Sequence, residues 1–506
     1  HDPRLPRTPM RILLVRPAPF EERRLGLENT VWRSEPVSLT SVAAMVPEHE
    51  VRILDMRLEK PSVLPEVLAD WKPDVVGTTA MTTDAYQAQA VLRLARQVVP
   101  TALTLIGGHH CTLNTQSYYV DWVDLVVLGE GELVFKEIVD RWQAASPRDT
   151  RVFEGLQGTD VRLPDGTRLA QGKAKNAPNL DHLPAPARHL LDKYRGQYFF
   201  LAAQPMASIF TSRGCSFDCN FCAIWEFYDR RTRFLSAEVI ADRMAACEEP
   251  FIFLLDDNFM TRADRLEKLA SELERRKIKK YFMTQGRSDF VAQHPELIAR
   301  LAKVGLMGIL SGYETNDENA LEGLRKRNTL DNNKKAAKIL KDNGIISTGI
   351  FMVRPDFDHD DFAALYDYIE SLGVAIPLVT ILTPLPGTEM WKKYRETLLT
   401  EDFRLFDLLH AVTPTKLPRE EFYKQYVAWK RVGRTSMKAW FTARTMAKRW
   451  DFYLRALPNF PGMIVKRVRY QRIQFDYRSY LRDEAGIIRT NATPVRPTEE
   501  AALASK

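Results

Sequence analysis

Three cysteines within eight residues are the feature that most restricts what this chain can fold into. Cys215, Cys219 and Cys222 are separated by three and then two residues, so one loop can carry three thiolates to a single small cluster. Three thiolates on a cubane of four irons leave one iron open to another ligand. The apolar pair Ile209 and Phe210 precedes the loop and indicates that a strand delivers it. The spacing therefore predicts an iron–sulfur site at a strand end.

Two alternatives to an iron–sulfur site stay open for these cysteines. A structural zinc site would require a fourth Cys or His at matched spacing, and none follows nearby. A buried group of cysteines without any metal is the second alternative. The two remaining cysteines, Cys111 and Cys247, are too few for a disulfide framework. Cys247 is predicted to be a small core residue and Cys111 to be structural.

The size and charge of the chain limit its class. At 506 residues it exceeds a single core, which predicts two or three domains. No apolar run approaches the length of a membrane span and the N-terminus lacks a signal-peptide core, so a cytoplasmic protein is predicted. The net charge of +7 is unevenly distributed. The segment from Lys424 to Asp483 has fifteen Lys and Arg and three Asp and Glu, a local excess of +12.

Short apolar runs alternate with helical patterns from Met10 to Gln143. This alternation predicts a doubly wound parallel α/β sheet, whose ligands bind outside the carboxyl ends of the strands. There is no Gly-x-Gly-x-x-Gly after the first run, which argues against a nicotinamide or flavin dinucleotide. The candidate binding residues at these ends are Asp55, Met56, Arg57, Thr78, Thr79, Gly107, Gly108, His109, Gly129, Glu130 and Glu132.

A second series of six strand and helix signals runs from Ala207 to about Arg395, after a polar connection with a hairpin turn at Asp165-Gly166. Such alternation predicts β/α repeats, and in β/α barrels the functional groups gather at the carboxyl ends of the strands. The candidates there are Asp256, Asp257, Asn258, Arg287 and Glu314. The alternative for each of them is a salt bridge at the barrel rim.

The cysteine spacing, with Phe221 before the last cysteine, resembles the signature of the radical S-adenosylmethionine (SAM) superfamily. The resemblance implies a [4Fe–4S] cluster on the three cysteines, with SAM on the fourth iron, and reduction by a donor such as flavodoxin or ferredoxin that yields a deoxyadenosyl radical. It also implies that the six repeats form a partial barrel. The SAM contacts that it implies are the backbone at Phe221 for adenine, Asp256–Asn258 for the amino group, Arg287 for the carboxylate, and Glu314. Positive charge from Arg213 near the cluster is a further expectation.

The first segment resembles the cobalamin-binding domain that precedes many radical SAM barrels. The features in common are Asp55 after a strand, Gly107-Gly108, and the run Gly129–Glu132. Relatives with a lower axial histidine carry Asp-x-His-x-x-Gly, whereas Arg57 stands in the histidine position here and has no lone pair to give cobalt. We therefore expect cobalt without a protein histidine ligand, the alternative being a related domain that has lost cobalamin.

The basic segment from Lys424 to Asp483 is also rich in aromatic residues, and three interpretations compete. The first is that the segment lies on an anionic membrane surface, and the second is that it binds RNA. The third is that its aromatic residues pack on the barrel while its charged groups stay in water. RNA-modifying relatives that insert sulfur carry extra N-terminal cysteines, and only Cys111 precedes Cys215, so nucleic acid is disfavoured.

These resemblances together predict a class B (cobalamin-binding) radical SAM enzyme. The predicted reaction is methylation of an unactivated carbon of a hydrophobic, lipid- or tetrapyrrole-like small molecule, with cytoplasmic or membrane-associated location. The alternatives are a radical cyclase or oxidative rearrangement enzyme resembling the anaerobic magnesium-protoporphyrin IX monomethyl ester cyclase, and a non-catalytic cofactor carrier. The predicted division is a cobalamin domain at 10–143, a linker with a hairpin at 144–206, a barrel at 207–395, a helical basic and aromatic region at 396–490, and a disordered tail at 491–506.

Overall fold

The computed structural model describes residues 8–18, 31–145, 149–442 and 446–488, and the tail predicted at 491–506 lies outside them. The described strands, in chain order, are β1 Arg11–Arg16, β2 Trp32–Arg33, β3 Glu50–Asp55, β4 Val75–Thr79, β5 Leu103–Gly107, β6 Leu125–Val127, β7 Thr159–Arg162, β8 Arg168–Ala170, β9 Phe199–Phe200, β10 Met206–Ile209, β11 Ser212–Arg213, β12 Arg233–Phe234, β13 Phe251–Leu254, β14 Tyr281–Gln285, β15 Leu306–Glu314, β16 Ile346–Val353 and β17 Ile376–Ile381.

The described α-helices surround these strands. They span Val37–Ala43, Val63–Trp71, Ala85–Val98, His109–Leu113, Glu132–Ala144, Ile224–Phe227, Ala237–Ala246, Ala263–Arg275, Ser288–Gln293, Pro295–Lys303, Glu318–Gly323, Leu330–Asp342, His359–Leu372, Glu389–Tyr394, Arg419–Val427, Trp429–Trp440, Trp450–Ala456, Phe460–Gln474 and Tyr477–Glu484.

The first sheet has the order β3-β1-β4-β5-β6-β7-β8. Strands β3 to β6 are parallel, and helices cover both faces, so alternate residues such as Leu13 and Leu14 enter different cores. The predicted doubly wound sheet is confirmed. The hairpin of β7 and β8, whose turn was predicted at Asp165-Gly166, continues the sheet in antiparallel pairing with β6, a pairing that the sequence did not predict. This addition covers the edge that the short strand β6 would otherwise expose.

The second sheet has the order β10-β13-β14-β15-β16-β17, and all its neighbours are parallel. It is the predicted partial barrel of six strands, with β10 and β17 at its two edges. Large apolar side chains, including Met206, Phe251 and Met283, fill its interior. Phe452 and Tyr453 of the helix Trp450–Ala456 belong to the same core, and Phe452 packs on Tyr281 at the start of β14, so this helix covers the amino-terminal end of the barrel.

The C-terminal region is helical, as predicted, and part of its aromatic content packs on the barrel. Tyr423, Tyr426 and Tyr480 are buried against β16 and β17, and the Tyr426 hydroxyl donates to the carbonyl of Val379 at 2.8 Å. No helix in the described ranges is long and apolar enough to cross a membrane.

Candidate active site

A cavity of about 490 Å³ lies between the carboxyl ends of the two sheets. All three cysteines of the loop line it, and so do the predicted residues Phe221, Asp257, Asn258, Arg287 and Glu314. The first sheet contributes Met81, Thr82, His109, His110 and Leu113. The two series of strand ends, which lie far apart in the sequence, therefore meet at one space.

The cysteine loop is fixed to the barrel by a buried aspartate. Asp256 accepts hydrogen bonds from the backbone N–H of Thr211 and Ser212 at 2.6 and 3.0 Å, and from both of their hydroxyls. Its carboxylate therefore faces the strand that enters the loop and not the cavity. Gly214 has φ +88°, and a Cβ there would lie 2.1 Å from the carbonyl oxygen of Arg231, so only glycine allows the turn into Cys215.

Burial raises the pKa of all three thiols, that of Cys222 to about 12. Iron binds the thiolate form, so loading a cluster into this loop releases protons. Among the described residues, no three His, Cys, Asp or Glu side chains are grouped closely enough to hold a single metal ion. What the cavity offers is three thiols of one loop at one wall, the donor set that a cubane with one open iron requires.

Two polar side chains next to the cysteines suit a ligand with both donors and acceptors. Asn258 is 2% exposed, and neither its amide oxygen nor its amide nitrogen has a hydrogen-bond partner within the protein. Asp257 accepts from the Gly214 N–H at 2.9 Å, and burial raises its pKa to about 6. Buried polar groups are rarely left unpaired, so this part of the cavity fits the amino-acid portion of SAM.

Glu314 carries a partner that sequence reasoning missed. Its Oε1 lies 2.5 Å from Nζ of Lys326, and both side chains are buried. Burial alone would lower the pKa of Lys326, but the Glu314 carboxylate raises it above its ordinary value. The only signal in the sequence was the basic run Arg325–Arg327 after a short helix, which does not indicate which of its members turns inward.

Arg287 joins three parts of this wall. Its guanidinium lies 3.7 Å from the centre of the Phe217 ring in the cysteine loop and pairs with Asp289 at 2.9 Å. It also donates to the carbonyl oxygens of Lys326 and Arg327 at 2.6 and 3.0 Å. Much of its donor capacity is therefore used within the protein, where it fixes the 326 loop beside the cysteines.

Several predicted residues of the first sheet bond to their own surroundings. Arg57 is 3% exposed at its side chain, donates to Asp55 at 2.8 and 2.6 Å, and reaches the carbonyl of Ser34. Thr78 donates to the carbonyl of Val15, and Met56 belongs to the core. These side chains therefore stabilise the carboxyl end of the sheet through contacts within the protein.

The Gly107-Gly108 step brings the chain close to the neighbouring strand end. Gly108 has φ +109°, and a Cβ there would lie 2.7 Å from the Thr79 hydroxyl and 2.8 Å from the Ala80 carbonyl. The next residue, His109, is enclosed against Phe227, with ring centres 4.2 Å apart. Burial lowers the pKa of His109 to about 4, and its Nε2 has no partner within the protein. His109 is thus a neutral imidazole at the cavity wall.

The carboxylates of the Gly129–Glu132 run point across to the barrel. Glu132 pairs with Arg213, with one contact at 3.1 Å, and Glu130 pairs with Arg233, with one contact at 3.0 Å. Arg213 also lies 3.4 Å from Glu130. The Arg213 charge that we expected to act near the cluster is therefore shared with two carboxylates, because the first domain packs its acidic loop on this part of the barrel.

Comparison with known proteins agrees with this arrangement. Residues 209–369 match the family model of the radical SAM superfamily, and residues 27–139 match that of the B12 binding domain. The hopanoid C-3 methylase of Methylococcus capsulatus is 30% identical over 450 residues, which cover 87% of this chain and 83% of the relative. The chain belongs to the cobalamin-binding radical SAM enzymes.

A solved structure and a further relative extend this comparison. The solved structure of the cobalamin-dependent SAM radical enzyme OxsB, with aqua-cobalamin and SAM bound, shares the fold at a TM-score of 0.65 and 14% identity, over 94% of this chain and 80% of that one. The anaerobic magnesium-protoporphyrin IX monomethyl ester cyclase of Rubrivivax gelatinosus is 25% identical over 70% of this chain and 63% of its own length. This radical SAM enzyme thus uses a [4Fe–4S] cluster, SAM and cobalamin, and it acts on a small molecule with an external reductant.

Proposed function

We propose that this enzyme methylates an unactivated carbon of an apolar, lipid- or tetrapyrrole-like substrate. The observation that carries the proposal is the division of the cavity into two kinds of wall. The cysteines and the polar residues Asp257, Asn258 and Glu314 stand at one side. The remaining lining is largely apolar and includes Ile350, Met352, Leu378, Ile381, Leu382, Leu408 and Leu409. An apolar wall offers a hydrophobic molecule burial without unpaired polar groups.

In this proposal Cys215, Cys219 and Cys222 hold the cluster, and Asp257 and Asn258 bind the amino-acid portion of SAM. When bound, the cluster and SAM supply a radical that removes hydrogen, and the corrinoid supplies the methyl group. Lys326 neutralises Glu314, so the pair can orient a polar ligand group without leaving a net buried charge. Phe221 packs against the apolar cluster that contains Met352 and Leu382.

The corrinoid is proposed to lie against the strand ends of the first sheet, within the 10–143 domain, with no histidine below cobalt. The support is that Arg57 occupies the position that histidine has in other relatives and is committed to Asp55 and Ser34. The barrel is proposed to span 207–395 and the helical region 396–490. A flavodoxin or ferredoxin is the proposed electron donor, and the basic C-terminal region is the proposed contact with a membrane that contains the substrate.

The reaction is tested with trideuteromethyl-SAM. The protein is reconstituted anaerobically with iron, sulfide and hydroxocobalamin, and it is supplied with a reductant and apolar candidate substrates. A product that gains a CD₃ group together with 5′-deoxyadenosine supports the proposal. A product that has lost hydrogen without label would instead identify the cyclase reaction.

The role of Asn258 yields a separate prediction. Asn258→Ala is expected to raise the dissociation constant of SAM by about tenfold, because SAM loses a buried side chain with which it could form hydrogen bonds. Isothermal titration of the reconstituted protein with SAM measures the change. Asn343→Ala is the matched control, since Asn343 follows the helix Leu330–Asp342 and bonds to that helix's own carbonyl of Ile339. Equal affinities in the two variants would contradict the assignment of Asn258.

A further inference from the structure

An unusual cluster of exposed apolar side chains lies at the C-terminal helices. Eleven large apolar side chains are exposed in the described part of the chain, and six of them fall between residues 450 and 468. Trp450 is 64% exposed and Val465 is 69% exposed. We call this set the apolar helix face, and its members are Trp450, Leu454, Leu457, Ile464, Val465 and Val468. Exposed apolar side chains are normal singly, whereas a concentration of this kind marks an interaction surface.

The helices are anchored so that this face points away from the barrel. Phe452, Tyr453 and Ala456 enter the barrel core, while Leu454 and Leu457 between and after them remain exposed. Asn459 donates to the carbonyl oxygens of Ala202 and Gln204, just before β10. The exposure is therefore a property of a docked element and not of a detached one.

The second of these helices leads from the apolar helix face to the cavity. The helix Phe460–Gln474 has 15 residues, which corresponds to a length of about 22 Å. Phe460 and Met463 at its start pack on the barrel core near β10. Gln474 at its end lines the cavity, and its carbonyl accepts from Tyr480, which is buried in the core of β17. The helix thus runs from one edge of the partial barrel toward the other, and Val468 lies about 9 Å along it from Gln474.

The charge around this face indicates its partner. Between Arg444 and Arg472 the sequence has eight Lys and Arg and only one acidic residue, Asp451. Arg449 is buried and donates to the carbonyl oxygens of Ala302 and Leu306, which leaves seven other basic residues in this stretch of the sequence. Exposed Trp and aliphatic side chains next to cationic residues are the composition of helices that lie in an anionic lipid interface. A soluble protein partner would need no such excess of one charge sign beside an apolar surface.

We infer that the apolar helix face inserts into an anionic lipid surface and brings the open side of the barrel against it. An apolar substrate would then pass from the lipid to the cavity along the helix Phe460–Gln474 without crossing water. This inference rests on the proposed apolar substrate and names the surface and the lipid chemistry through which it is reached.

Vesicle flotation with the reconstituted holoenzyme tests the inference. The protein is expected to float with vesicles that contain phosphatidylglycerol, and less with pure phosphatidylcholine or at high salt. Changing Ile464, Val465 and Val468 together to serine is expected to lower the partition coefficient by about tenfold. The matched control changes Val98 and Leu133 to serine, since both are exposed apolar residues on helices of the first sheet. This control is expected to float like the wild type.

Three results would overturn the inference. They are a wild type that stays in the aqueous fraction, a triple variant that floats like the wild type, and a wild-type dimer that the triple variant converts to a monomer without any flotation. Iron content and SAM cleavage in the triple variant check that it is folded. Flotation requires no turnover, so a failure of methyl transfer would leave it unchanged. Conversely, a failure of flotation would not affect methylation of a substrate dispersed in detergent.

Discussion

Replacing Cys222 with alanine is expected to abolish the cleavage of SAM. The loop offers three thiols to one cavity, so the variant would have only two thiols with which to hold a cluster. The loss of activity should therefore exceed about a hundredfold. Mutation of a residue that only hydrogen-bonds to a metal ligand typically reduces metal affinity or activity by about 10- to 100-fold, and loss of a ligand itself should have a larger effect. Iron and sulfide per chain, and 5′-deoxyadenosine formed under reducing conditions, measure the effect.

Cys247→Ala is the matched control for this variant. Cys247 is also buried, but it ends the helix Ala237–Ala246 and belongs to the barrel core. Its replacement should cost some stability through a small void and leave the iron content unchanged. If Cys222→Ala retained both iron and SAM cleavage while Cys247→Ala lost them, the cluster site would have been assigned to the wrong cysteines.

The cysteine loop and the two sheets were predictable because their signals are local. Three cysteines within eight residues can be recognised without any knowledge of tertiary contacts. Apolar runs that are buried on both faces likewise indicate parallel strands in the sequence itself. The expectation that candidate binding residues stand at strand ends follows from the geometry of parallel sheets, whose ligands bind outside the carboxyl ends of the strands.

The partners of the binding residues were not predictable in the same way. Glu132 and Arg213 are 81 residues apart, and Glu130 and Arg233 are 103 apart, so their pairing depends on how one domain packs on the other. Lys326 reaches Glu314 only because the chain after the helix Glu318–Gly323 returns to the cavity. A sequence motif identifies a polar residue at a strand end, but whether it faces a ligand or a salt bridge is decided by these distant contacts.

Asp256 illustrates the same limit within a single motif. Asp256, Asp257 and Asn258 follow one strand, and the sequence pattern predicts that they form one SAM-binding segment. Asp256 bonds to Thr211 and Ser212, whereas the next two residues, Asp257 and Asn258, line the cavity. The contacts of Thr211 and Ser212, which are more than 40 residues away in the sequence, decide the direction of Asp256.

Removing one partner of the Arg213–Glu132 pair is expected to cost about 3–5 kcal/mol in the free energy of unfolding. Glu132→Gln has nearly the same shape but leaves the buried guanidinium of Arg213 facing a neutral amide, with only the more distant carboxylate of Glu130, at 3.4 Å, as its partner. Exposed pairs contribute much less, so Glu137→Gln, which removes the partner of Arg141 on the same helix, should cost only about 0.3–0.5 kcal/mol. Urea unfolding of the reconstituted protein measures both variants.

The pH dependence of the Glu132→Gln effect distinguishes the ion pair from simple packing. Burial alone would raise the pKa of Glu132, but Arg213 and its hydrogen bonds hold that pKa below the ordinary value of 4.5. A carboxyl whose pKa is lowered on folding stabilises the protein fully above its unfolded-state pKa and loses that contribution as the pH falls through its folded-state pKa. The stability difference between wild type and Glu132→Gln should therefore be constant near neutral pH and shrink below about pH 4.5.

The double variant Arg213→Met and Glu132→Met compares the removal of both charges with the removal of one. Well-packed apolar residues often replace a buried ion pair without loss, so this variant should be more stable than Glu132→Gln alone. Because Arg213 lies two residues before Cys215 and Glu132 begins a helix of the first domain, we expect the charge pair also to position this domain relative to the cysteine loop. We expect Glu132→Gln to lower the ratio of methylated product to 5′-deoxyadenosine, and a ratio equal to that of Glu137→Gln would contradict this positioning role.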